Sequence, residues 1–268
     1  MKISPWFVGE FVGTFLIVFF GCGSVCAAVL TGAQMGIFQV AIVWGIGIAV
    51  AIHLTASLSG AHLNPAVTIA MAVFGGFEKR LVPGYLLCQV VAAFTAALVL
   101  HGVFGSVLEA FEASQNITRG AAGSEASAMI YGEYFPNPGA EALDETRKAT
   151  VSLWRAFFVE CVGTAVLVLV IFGLTDRKNE GRADHLNPAL IGLTVTVLIS
   201  LLAPLTQAAF NPARDFGPRL FSSLAGWKEI PFTTNGQGWW LVYLLGPIAG
   251  GLLGGGIYCT FLKRIYGR

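Results

Sequence analysis

The chain has 268 residues, of which 55% are apolar and only 12% charged, and its mean hydropathy is +0.72. An ordinary soluble domain carries about 25% charged residues, so there is too little charge here to clothe a water-facing surface, and a soluble globular enzyme is excluded. So much apolar surface also excludes disorder, and a formal net charge of +1 leaves no basic field for nucleic acid.

A membrane-spanning helix needs about 20 apolar residues. Six stretches meet that length: 6–30, 36–57, 82–104, 153–175, 188–206 and 238–262. The first is too long for a signal-peptide core and lacks a small-residue cleavage site, so it is read as a retained span. Cys22, Cys26, Cys88, Cys161 and Cys259 all sit in apolar stretches without a partner at metal-ligand spacing, and are read as small membrane-core residues. Two shorter apolar stretches, 64–76 and 211–224, open on Asn64-Pro65-Ala66 and Asn211-Pro212-Ala213. A proline behind an Asn cap is a helix start, and about 12 residues of helix reach about 18 Å, roughly half the hydrocarbon core. Each stretch predicts a re-entrant half-helix. Segment 105–152 is rich in Gly, Ala, Ser and acids, with the turn string Tyr134-Phe135-Pro136-Asn137-Pro138-Gly139, and is read as an external loop. Its Asn116-Ile117-Thr118 sequon is read as a chance match.

Glu10-Phe11-Val12-Gly13-Thr14 recurs as Glu160-Cys161-Val162-Gly163-Thr164, and Asn-Pro-Ala occupies the matching place in both halves. The expectation is one transmembrane channel domain over 1–268: repeat one (1–104), the external loop (105–152) and repeat two (153–268). Three spans per repeat is an odd number, so the halves are inverted and their half-helices meet N-terminus to N-terminus at the midplane. Such ends offer free N–H groups and partial positive charge, which repel cations and protons. The fold class is all-α membrane protein, with six spans and two half-helices in an inverted repeat. Lys2, Lys79, Arg80, Arg177, Lys178, Arg182, Lys263, Arg264 and Arg268 fall on one side of that topology, placing both termini in the cytoplasm.

Glu10 and Glu160 are the acids inside the spans. A proton relay is one reading of such acids; bracing the re-entrant loops through their N–H groups is the preferred one. His62 is read as a hydrogen-bonding lining residue, His53 and His101 as packing residues. His185-Leu186-Asn187-Pro188-Ala189 spells the same string as His62 to Ala66 but opens a full span, and Asn187 is read as an ordinary cap. Gly246, Gly250 and Gly254 form a packing stripe on the last span.

Ser59 to Thr68 and Asn211 to Arg219, with the paired glutamates, resemble the two signature loops of the aquaporin superfamily across nearly the whole chain. Asp215, Arg219 and the Phe135-Pro136-Asn137-Pro138 loop resemble its glycerol-conducting branch; Tyr243 departs from it. The resemblance implies a passive channel for glycerol, water and other small uncharged solutes that excludes ions and protons. It further implies no enzymatic activity and no cofactor or metal, and a homotetramer in the cell membrane (the inner membrane in a bacterium). It places an outer constriction at Trp44, Ile199, Ala208 and Arg214. From the residues alone Trp44 is equally a packing aromatic, whereas a lone arginine in a membrane loop calls for a reason. The Trp, Ile, Ala, Arg combination also resembles nodulin-like intrinsic proteins, which implies the alternative of water, ammonia, metalloid acid or lactic acid passing with little glycerol. Lining expectations are the loop residues Gly60, Ala61, His62, Leu63, Gln207, Ala209 and Phe210, faced by Ile48, Leu167 and Val195. A coupled secondary transporter also uses inverted repeats and broken helices, but would need an ion site or proton relay beyond the two glutamates.

Overall fold

The computed structural model describes residues 4–33, 36–182 and 184–266; Lys2 and Arg268, used above for topology, lie outside the described residues. α1 (Pro5–Thr31) starts at a proline, whose missing N–H costs nothing in a first turn, and stops at the left-handed Gly32. α2 (Ile37–Ser59) stops at Gly60 with φ +82°. The chain then turns back through residues 61–63, and the Asn64 side chain caps α3 (Pro65–Phe74). α4 (Val82–Ser114) runs past the predicted end at 104. Its extension is rich in helix-forming residues, and Glu112 within it pairs with Arg119 at 2.7 Å.

The predicted external loop is more ordered than its polar composition suggests. It carries two short turns, α5 (Glu125–Ala128) and α6 (Glu145–Lys148). Residues 124–136 are buried, and Ile130, Tyr131 and Tyr134 pack in one cluster with Phe221 and Trp227. The second half repeats the plan with α7 (Leu153–Thr175), α8 (Asn187–Thr206), the half-helix α9 (Pro212–Ser222) capped by Asn211, and a final span Gly238–Tyr266.

Asn187 is not the cap its string suggests. A 3₁₀ turn over Asp184–Leu186 leads into α8, and Leu186 takes the cap position in a helical conformation with no side-chain cap bond. Asn187 is already inside the helix, and its amide nitrogen donates instead to the Leu174 carbonyl at 2.8 Å.

Glycines let the helix backbones touch. A Cβ on Gly192 of α8 would stand 2.1 Å from the Gly45 carbonyl oxygen of α2, joining the two halves. The stripe on the last span packs on α7: a Cβ on Gly250 or Gly254 would stand 2.2 Å from the carbonyl oxygens of Cys161 or Ala165. The result is six spans around two half-helices in an inverted repeat, with large apolar side chains such as Phe158, Leu87 and Leu201 on the outer face.

Candidate functional site

Two carboxylates hold the two re-entrant loops. Glu10 accepts from His62 N–H at 2.9 Å, Leu63 N–H at 2.8 Å, the Ser59 hydroxyl at 2.8 Å and Gln89 Nε2 at 2.7 Å. Glu160 accepts from Ala209 N–H at 3.1 Å, Phe210 N–H at 2.8 Å and the Thr206 hydroxyl at 2.6 Å. In a planar trans peptide the carbonyl points opposite to the N–H that follows it. Tying the N–H groups of residues 62, 63, 209 and 210 to the glutamates therefore turns the carbonyls of Ala61, His62, Ala208 and Ala209 away from them. The backbone takes an uncommon form to do so: Ala61, Leu63, Gln207, Ala208 and Phe210 all have φ between 49° and 62°. Such residues cost about 1–2 kcal/mol each in the left-handed region, a cost that the buried carboxylate bonds offset.

The two asparagines are tied crosswise. Asn64 Nδ2 donates to the Phe210 carbonyl at 2.9 Å, and Asn211 Nδ2 donates to the Leu63 carbonyl at 2.8 Å. Their Oδ1 atoms cap the half-helices, Asn64 on Ala66 N–H at 2.8 Å and Asn211 on Ala213 N–H at 3.0 Å. An amide nitrogen has two hydrogens, so each asparagine retains one donor after the cross-bond. Pro65 and Pro212 each open a half-helix, and the starts of α3 and α9 meet here.

The repeated Glu-x-x-Gly-Thr string has a second half to its logic. A Cβ on Gly13 would stand 2.4 Å from Leu63 Cδ2, and one on Gly163 would stand 2.1 Å from Phe210 Cε1. The glutamate holds the loop and the glycine seats the side chain that precedes each asparagine.

Trp44, Ile199, Ala208 and Arg214 line one cavity and are all buried. The Arg214 guanidinium stands 4.6 Å from the Trp44 ring centre, and the indole lies against Gly21, where a Cβ would come within 2.2 Å. Arg214 Nη1 donates to the Tyr131 carbonyl at 3.0 Å, and Nη2 pairs with Glu133. Sequence reading missed both partners. Glu133 is wholly buried, its carboxyl oxygens receive no aligned hydrogen bond, and burial pushes its pKa up while the Arg214 charge pulls it down. Asp215 accepts from Glu133 N–H at 2.7 Å and from Arg219 Nε at 2.8 Å, and Arg219 also donates to the Glu133 and Pro231 carbonyls. Asp215 and Arg219 thus pin the segment that carries Glu133 over Arg214. Tyr243 flanks Arg219 and donates to the Thr206 carbonyl at 3.2 Å.

The cavity is a lane of about 280 Å³. Gly60, Ala61, His62, Leu63, Ala209, Phe210, Ile48, Leu167 and Val195 line it with both asparagines. Gln207 does not; its side chain instead accepts from Tyr134 N–H at 2.8 Å and donates to the Met129 carbonyl at 3.3 Å. Thr175, Asp184 and Asn187 line the lane as well. The string at 185–189 was the only signal for that last group, and it pointed to a cap.

The family model for the major intrinsic proteins matches residues 2–258. The glycerol uptake facilitator protein of Pseudomonas aeruginosa is 44% identical over 258 residues, covering 96% of this chain and 88% of that one. The propanediol uptake facilitator of Citrobacter freundii is 39% identical over 252 residues, covering 94% and 89%. The crystal structure of the aquaglyceroporin from Plasmodium falciparum superposes with a TM-score of 0.81 at 26% identity, covering 98% of both chains. With two capped half-helices joined through their asparagines inside six spans, and a family model matching nearly end to end, the chain belongs to the major intrinsic protein family, a family of passive membrane channels and not of enzymes.

Proposed function

We propose that this protein is a passive channel through which glycerol, other small uncharged solutes and water diffuse across a membrane, with ions and protons excluded. The observation that carries the reading is the crossed pair of asparagines at two facing helix starts, set in one lane with the Arg214–Trp44 wall. Free amide donors and the Arg214 fork bind hydroxyls, while the Trp44 face, Ile199 and Leu167 meet C–H groups. Two helix N-termini and a guanidinium raise the energy of any cation in the lane. In this reading Trp44, Ile199, Ala208 and Arg214 form the selectivity filter, and the chain acts as one channel domain of two inverted repeats around the external segment. Both termini lie in the cytoplasm, and four copies assemble with one lane each. Relatives named for glycerol and for propanediol uptake support small polyols as the solutes. Glu10 and Glu160 spend their acceptors on loop N–H groups and hydroxyls, which favours a passive lane over an ion-coupled transporter.

A second reading rests on Ile199 and Ala208, whose bulk is placed as in nodulin-like channels. Stopped-flow light scattering on proteoliposomes separates the two. Glycerol entry well above that of empty vesicles is the expected result. Water flux without glycerol flux would favour the second reading, and no acceleration of either would sink both.

A further inference from the structure

His101 does more than pack. It stands half-buried on α4, and its Nδ1 lies 3.0 Å from the Tyr131 hydroxyl. Tyr131 is wholly buried. Its ring sits edge-on to Phe221 and Trp227, with centres 5.3 and 5.6 Å away, and the His101 ring meets Phe221 edge-on at 5.4 Å. At the other end of the residue, Arg214 Nη1 donates to the Tyr131 carbonyl at 3.0 Å. Tyr131 is thus gripped twice: its hydroxyl by α4 of the first half, its carbonyl by Arg214 of the second. Gln207, Asp215 and Arg219, all in the second half, hold the residues on either side of it. A tyrosine side chain turns about only two bonds, so a bond at its tip fixes the ring and the backbone behind it.

We propose that His101 is a positioning residue for solute selection: it holds Tyr131 so that the Tyr131 carbonyl keeps the Arg214 fork at the wall of the lane. This rests on the channel reading above. A buried hydroxyl without a partner is costly, so without the imidazole Tyr131 shifts and carries its carbonyl with it. Arg214 then keeps Glu133 but loses a fixed acceptor. The carbon chain of glycerol holds its hydroxyls at set spacings, so glycerol needs donors at set places, whereas a water molecule turns freely to meet them. The tie therefore acts on the choice between solutes.

The test compares glycerol and water permeability in proteoliposomes of wild type, His101→Leu, His101→Asn, Tyr131→Phe and the double variant His101→Leu/Tyr131→Phe. The expected result is a glycerol-to-water ratio about two- to tenfold lower in His101→Leu. Tyr131→Phe cuts the same bond from the other side and lowers the ratio in the same direction. The double variant falls no further than the larger single change, since one bond is cut only once. His101→Asn, whose amide hangs from Cγ as Nδ1 does, keeps the ratio near that of wild type. Additive losses in the double variant, or an unchanged ratio in Tyr131→Phe, would mean that His101 only packs, and would overturn the tie alone. Tyr131→Phe decides the matter if His101→Leu does not fold. Wild-type vesicles that pass no glycerol overturn the glycerol-channel reading, and the tie with it.

Discussion

Gly13 and Gly163 occupy equivalent places in the two halves, and each leaves room for a different side chain, Leu63 in one and Phe210 in the other. A methyl group at Gly163 must push the Phe210 ring, because 2.1 Å is far inside contact distance. We predict that Gly163→Ala lowers glycerol and water flux together and costs about 1–3 kcal/mol of stability through overpacking. Adding Phe210→Ala restores part of both, as read by stopped flow and thermal melting of the double variant. Glu133 makes the contrasting case. It is buried against Arg214, and removing one member of a buried pair costs about 3–5 kcal/mol. Glu133→Ala therefore lowers the melting temperature and shifts the ratio of water to glycerol flux, since Arg214 keeps the Tyr131 carbonyl but loses its counter-charge. The glycine in Glu-x-x-Gly-Thr is visible in the sequence because the string repeats. Glu133 is not, because nothing in a polar, acid-rich stretch marks which acid is folded inward.

At the scale of elements, the half-helices owe their starts to local chemistry and their depth to distant bonds. Asn-Pro-Ala is a sufficient start signal, and both asparagines cap as their strings imply. The loops before them need Glu10 and Glu160, since left-handed Ala61, Leu63, Ala208 and Phe210 would otherwise relax. We predict that Glu10→Ala abolishes flux and destabilises the protein by at least about 3 kcal/mol, because it strands several donors at about 1–3 kcal/mol each. Glu10→Gln retains one oxygen and loses less, and comparison of the two variants by flux and melting checks the point. The same letters at 185–189 give no half-helix. A 3₁₀ turn already precedes Asn187, and the Leu174 carbonyl draws its amide away. Local sequence is identical there, so the difference lies in the tertiary partner. α4 outruns its apolar stretch for a related reason: its last turns leave the apolar span, and Glu112 is held by Arg119 and Ser127, contacts that hydropathy does not register.

For the whole molecule, helix association in lipid gains nothing from simple apolar burial and relies on close backbone approach. Gly250 meets the Cys161 carbonyl, whereas Gly105 has open space around its Cβ direction. Gly250→Ala is therefore expected to reduce the yield and melting temperature of detergent-solubilised protein. Gly105→Ala is expected to leave both unchanged or slightly raised, as alanine suits a helix better. Equal effects from the two would contradict this account of the packing. Six spans, two half-helices and their inverted relation were all determined by the sequence alone. Each follows from hydropathy, cap chemistry and an odd number of crossings per repeat, which are local or countable properties. Only the tertiary structure decided which acid backs Arg214, how the asparagines cross, what Gly163 makes room for and why Asn187 lines the lane. Those depend on distances between residues far apart in the chain, and a one-dimensional pattern carries no distances.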